Sequence, residues 1–268
     1  MFRSLKWLTG AKEDQLLVLS SRTDAGVHVR INGGIVDLDR TLWNALSPRK
    51  MIRAVDDRLD GNIAFLTVEE VEPSFNPRMA LHRTYRYRLE AMEFWVEPNH
   101  EAFRRWLDIF VGTYDARNFA RLEEGKNPIR TVLETKPWMD GERLIGFEVT
   151  GEAFLWNQVR RMANALFRLA VDELNENDIR EAIEQPMVPV DFGVAPPEWL
   201  VLWGVAWERA PLPEESHNTA FSAPPTGRTA ERTRNGRWRQ AAQHELKSML
   251  YNEWAEIGTL PVVYHRSQ

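Results

Sequence analysis

The sequence predicts a globular protein of interspersed strands and helices, on three observations. Residues 83–89, 129–136 and 143–150 alternate with the period of two that marks a half-buried strand. Two apolar stripes, Phe103–Trp106–Leu107–Phe110 and Leu155–Val159–Met162–Leu166–Leu169, repeat at helical spacing. Asp140-Gly141, a turn signal, lies between the last two alternating runs and makes them a hairpin. A chain of 268 residues, 43% hydrophobic and 27% charged, has room for one large domain or two small ones with ample core.

Taken in order, residues 2–9 read as the end of a helix, with Phe2, Leu5 and Leu8 apolar and Gly10 as its stop. The run Leu16 to Leu19 reads as a buried strand, and Val27, Val29 and Ile31 as a second one. Between them lie Arg22, Asp24 and Gly26. A loop held between two strands can aim a carboxylate, and Gly26 permits a turn closed to other residues. An aspartate bonding its own backbone in a polar turn is the alternative reading of the same residues. Leu42–Leu46 predicts a short helix broken at Ser47-Pro48, and Ile63–Val71 predicts a strand.

On the strand that follows, Arg83, Tyr85, Tyr87 and Leu89 share one face, while Thr84, Arg86 and Arg88 share the other. A cation and a phenol can therefore lie side by side. The helix over 103–110 closes at Gly112, and its stripe is core. Arg160 lies beside the 155–169 stripe, flanked by Ala163 and Phe167, so its stem is expected to be partly buried and to need an anionic partner. Arg161 and Arg168 read as solvated. Ile179 and Ile183 mark another short helix. From Pro211 to Arg228 the chain reads as a linker. The tail beyond carries Arg232, Arg234, Arg237, Trp238 and Arg239, then a helical segment. Two readings of it stand: an RNA-binding element, or a basic helix packing back on the domain.

Composition bounds the function. No apolar run reaches the roughly 18 residues that span a bilayer, no signal-peptide pattern is read at the start, and the cytoplasm is the expected location. Zero cysteines exclude disulfides and thiolate metal sites, and the six histidines lie far apart, so no metal is expected. A net charge of −5 argues mildly against a generic nucleic-acid binder, but a local basic groove can coexist with an acidic exterior. Arg78, Arg83, Arg86 and Arg88 fall within eleven residues and form such a patch.

Three stretches carry a family resemblance. Arg22-Thr23-Asp24-Ala25-Gly26-Val27-His28 resembles R-T-D-x-G-V-H, the active-site signature of the TruA family of tRNA pseudouridine synthases. Residues 75–87, from Phe75-Asn76-Pro77-Arg78 to Arg83-Thr84-Tyr85-Arg86-Tyr87, resemble its F-N-P/A-R-x-x-A-x-x-R-x-Y-x-Y stretch, and Phe154-Leu155 with Val159-Arg160 resembles F-L-x-x-x-V-R. Gly112–Ala120 is similar to its G-x-H-D-F-x-N-F-x connection, with Tyr114 and Ala116 departing from it. Residues 195–202 are similar to A-P-x-x-G-L-x-L, but Trp199 replaces the glycine, so a different backbone turn is expected there.

The resemblance covers roughly residues 1–208. It implies an α+β fold of two similar α/β-sandwich halves sharing a mainly antiparallel sheet, with a basic cleft between them. The halves would be residues 1–90 and 91–208, followed by a linker and C-terminal extension over 209–268. It implies isomerisation of uridine to pseudouridine in the anticodon stem-loop of tRNA, without a cofactor, by an enzyme that is commonly a homodimer. Asp24 would be nucleophile or base, Tyr85 would stack on the uracil and assist proton removal, and Arg160 would pair with Asp24. Arg22, Arg78, Arg83 and Leu155 would bind substrate, and the arginines of 78–88 would meet phosphates. Family members open with a strand and a Y-D-G-x-x-Y-x-G-W-Q-like loop that this chain does not show, so a preceding segment of about thirty residues is expected. A catalytically impaired RNA-binding member of the same fold is the alternative, and a structural or interaction protein using the arginine patch and eleven tryptophans is a further one.

Overall fold

The computed structural model describes residues 17–57, 63, 65–208, 221, 223–224 and 238–257. Its centre is a six-stranded sheet built from β2 (His28–Val29), β4 (His82–Tyr87), β5 (Gly112–Asp115), β6 (Ile129–Asp140), β7 (Arg143–Gly151) and β8 (Leu200–Ala206). The strand order is β2-β8-β4-β7-β6-β5. Every neighbouring pair is antiparallel except β2 with β8. A separate two-stranded ladder joins β1 (Val18–Leu19) to β3 (Gly34–Ile35). The helices are α1 (Arg40–Ala45), α2 (Pro48–Asp56), α3 (His100–Asp108), α4 (Gln158–Ala170), α5 (Glu176–Glu184) and α6 (Arg239–Ile257). The class is α+β.

The hairpin of β6 and β7 closes where expected. Gly141 takes φ 61°, and the closing pair Asp140 and Arg143 is joined by an ion pair at 2.6 Å. A positive φ at this position is what a tight hairpin turn asks of glycine.

Alternation along β4 sorts the sheet into two faces. Tyr85 lies across from Val149 and Leu202, and Tyr87 across from Phe147 and Leu200. Val159, Met162, Leu166 and Leu169 of α4 and Phe103 and Leu107 of α3 are all buried in the hydrophobic core with Tyr87. Burying each such side chain stabilises the fold by about 1.5–3 kcal/mol. Arg86 points to the other face, opposite Val201 and Glu148, and its guanidinium lies 3.8 Å from the centre of the Trp203 ring.

That second face is covered by α6, which buries Ala242, Leu246, Met249 and Leu250. Charge fixes it there. Glu253 accepts from Arg30 Nε at 2.6 Å, Glu245 accepts from Arg88 at 3.0 Å, and the Trp254 indole donates to the Arg30 carbonyl at 2.7 Å. Of the two readings of the tail, α6 follows the second: it packs on the domain.

The short helix expected over Leu42–Leu46 is α1, and it ends before Ser47-Pro48 as expected. The same pair also starts a further helix: the Ser47 hydroxyl accepts from Lys50 N, and Pro48 is the first residue of α2. Proline suits that position because its missing N–H would have no helical partner there. Residues 65–71 pair in no ladder among the described residues, and of the strand expected over 27–31 His28 and Val29 pair with β8. Trp199 sits buried in a 3-10 turn, Pro197–Trp199, and uses no positive φ. The helix expected over 2–9 with its Gly10 stop, Leu16, most of the linker of 211–228 and Arg232, Arg234 and Arg237 lie outside the described residues. Of the expected linker, Phe221 is buried against Trp138 and donates its N–H to Asp140 Oδ2 at 3.0 Å. Among the described residues, no helix is long and apolar enough to cross a membrane.

Candidate active site

The loop from Ser20 to Val27 is tied at both ends. Ser20 N donates to the Gly33 carbonyl at 2.9 Å, and Val27 N donates to the Asp24 carbonyl at 3.1 Å. Gly26 closes this turn with φ 90°, and a Cβ there would lie 3.1 Å from Cγ of Pro197. Both the backbone angle and the close approach of the 195–199 segment select glycine. The turn leaves the Asp24 side chain about 30% exposed.

Two long-range bonds hold the Asp24 carboxylate. Arg160 Nη1 donates to Oδ2 at 2.7 Å across 136 positions of sequence, and Trp156 Nε1 donates to Oδ1 at 3.0 Å. Arg160 is itself fixed. Its Nε donates to the Ala195 carbonyl at 2.7 Å, and Nη1 also donates to Asn157 Oδ1 at 3.0 Å. Asn157 precedes α4 in the left-handed conformation, φ 63°, which asparagine tolerates better than most residues. The expected partner of Arg160 is therefore present, and the Asp24 side chain reaches beyond its own turn.

Tyr85 stands on β4, with its ring edge-to-face against Phe154 at 5.3 Å between centroids. Burial pushes its phenol up to about 12; the Arg83 charge opposes this and the Asp24 charge adds to it. Tyr87 is fully buried and donates its hydroxyl proton to the Pro196 carbonyl at 2.9 Å, as a core tyrosine. Leu155 is half-buried just before α4, its N–H donating to Gln158 Oε1 at 2.8 Å. His28, half-buried on β2, has its pKa lowered by burial and by Lys247, against an opposing pull from Glu198.

The arginines of 78–88 do not form one patch. Arg22 and Arg78 are exposed. Arg83 is buried and donates to the carbonyls of Glu152 at 2.5 Å, Arg78 at 2.7 Å and Ala80 at 3.3 Å. Arg86 pairs with Glu148 at 2.7 Å, and Arg88 is fully buried between Glu90 and Glu245. Arg86 and Arg88 as phosphate contacts are thus corrected: they lie on the opposite face from Asp24 and hold sheet and helix together. Among the described residues, no three His, Asp or Glu side chains gather as a metal site.

Sequence reasoning missed Trp156 and Arg121. The Arg121 guanidinium lies 4.3 Å from the centre of the Trp156 ring, and Arg121 N donates to the Trp156 carbonyl at 2.8 Å. An N–H donor one residue past Leu155, inside the motif, was the available signal for Trp156; Arg121 has none, because only the fold brings it near.

The chain is similar to known proteins of one family. A family model described as tRNA pseudouridine synthase matches residues 107–208. The chain is 36% identical over 187 residues to a tRNA pseudouridine synthase A from Methanoculleus marisnigri, covering 69% of this chain and 64% of that protein. A second, from Methanosphaerula palustris, is 32% identical over 188 residues, 70% of this chain and 62% of its own length. A third, from Brucella ovis, is 30% identical over 211 residues, 72% of this chain and 82% of its own. The chain thus spans somewhat under two-thirds of the first two relatives.

Proposed function

Because the chain belongs to the tRNA pseudouridine synthase A family, we propose that it converts uridine to pseudouridine in tRNA. The observation that carries this reading is the meeting of Asp24 with Arg160 at 2.7 Å, beside a tyrosine whose phenol senses the Asp24 charge. In the isomerisation the bond from N1 of uracil to C1′ breaks, the base turns, and C5 bonds to C1′. C5 then loses a proton and N1 gains one, so the atoms balance without a cofactor.

A uridine in a stem or stacked loop must first leave the stack. In our proposal Arg22 and Arg78, both exposed, meet phosphates and hold the displaced strand. Asp24 acts at the sugar as nucleophile or base. Arg160 gives its carboxylate a fixed cationic neighbour, which matters more as substrate excludes water from the site. Tyr85 and Leu155 cover the uracil. Arg83, expected to bind substrate, braces the turn of Arg78 and the strand end at Glu152, and so positions both Arg78 and Tyr85. The target in this proposal is the anticodon stem-loop, around positions 38 to 40 in tRNA numbering, as the family resemblance implies. A homodimer in the cytoplasm completes the proposal.

The test is incubation with an unmodified tRNA transcript, followed by mapping of pseudouridine along the chain. Product confined to the anticodon stem-loop is expected. Product elsewhere would overturn the target. Binding without product would move the reading to an RNA-binding member of the same fold.

A further inference from the structure

We propose that Trp156 is a positioning residue for the reaction, with its indole N–H setting the angle of the Asp24 carboxylate. The proposal rests on the functional reading above. A single bond from Arg160 leaves a carboxylate free to pivot about its own side chain. The second bond, from Trp156 Nε1 to the other oxygen at 3.0 Å, removes that freedom. Each oxygen then keeps one lone pair directed away from its donor, so the group is oriented but not blocked.

A tryptophan 43% exposed would ordinarily sample several rotamers, but this one is clamped. Its carbonyl accepts from Arg121 N at 2.8 Å, and the Arg121 guanidinium lies over its ring at 4.3 Å. Cation and indole face attract each other, which biases the rotamer. Arg121 follows the 3-10 turn Arg117–Phe119, whose Phe119 is fully buried and stacks on Phe192 at 4.7 Å, so the clamp is anchored in the core. The carboxylate is therefore aimed by two segments that meet only in the folded protein.

Trp156→Phe removes the N–H and keeps a ring. Trp156→His restores a donor, because imidazole Nε2 sits at the same number of bonds from Cβ as indole Nε1, in a ring of equal size. We expect Trp156→Phe to lower kcat for pseudouridine formation about ten- to hundredfold while KM and thermal midpoint stay near wild type, as a misaimed group does. Trp156→His should recover part of the loss, and Arg121→Ala should give a smaller loss of the same kind. A Trp156→Phe protein as fast as wild type would overturn the proposal. So would a loss carried by KM or by the thermal midpoint, which would make Trp156 a substrate contact or a packing residue. Failure of the parent function is distinguishable: wild type itself would then form no pseudouridine, and both readings would fall together.

Discussion

Arg160 satisfies Asp24, Ala195 and Asn157 with one guanidinium, and this makes its replacement informative. Arg160→Met keeps the aliphatic stem but leaves three acceptors without their donor. We expect a stability loss of about 1–3 kcal/mol in urea denaturation, together with a large loss of activity. Full activity in that variant would remove the ion pair from the mechanism. Tyr85 makes a different prediction. With its phenol near 12, only about one molecule in 10⁵ carries a phenolate at pH 7. If Tyr85 worked as a phenolate base, the rate would rise about tenfold per pH unit through the alkaline range. A stacking Tyr85 leaves the rate flat between pH 8 and pH 10, and that flat profile is what we expect of the single-turnover rate. His28 contributes to the pH dependence of stability near neutrality. Its folded pKa lies below the ordinary 6.5, so on acidification the unfolded chain takes up its proton first. The stabilisation is complete above pH 6.5 and is lost as pH falls from there through the lowered folded value. The urea midpoint should therefore drop more between pH 7.5 and pH 5.5 in wild type than in His28→Gln.

Among the elements, α6 has the role least visible beforehand. Its Glu253 meets Arg30, both side chains almost fully buried, and Arg30 directly follows the short strand β2 that carries the far end of the Asp24 loop. A two-residue strand has little hold of its own. Glu253→Ala leaves a buried cation without this carboxylate, and we expect a loss of about 3–5 kcal/mol by chemical denaturation. The strands β6 and β7 and the helix α4 were legible because period and turn chemistry agree along them, from Ile129 to Ala170. Residues 65–71 were not, because alternation alone cannot say whether a partner strand is within reach. The Ser47-Pro48 pair marks the break after α1, but the helix α2 beyond it was not legible, because the dipeptide signals a boundary without saying that a second helix follows.

At the scale of the whole molecule, the site gathers segments that the sequence keeps apart: the Asp24 loop, Tyr85 on β4, Trp156 and Arg160 at the start of α4, and Ala195 before β8. Asp24, Tyr85 and Arg160 could be named from sequence because each sits in a motif with its own spacing. The arginine patch could not be resolved, because the same alternation that puts Tyr85 on one face sends Arg86 to the other, and only the placement of α6 shows that the second face is closed. The central claim is that Asp24 does the chemistry while the rest of the site binds and aims. It is tested most directly by comparing wild type and Asp24→Asn on one unmodified tRNA transcript, measuring pseudouridine formed and tRNA bound in the same samples. We expect product to fall about a thousandfold or more with binding little changed. Product retained by Asp24→Asn, or product and binding lost together, would contradict it.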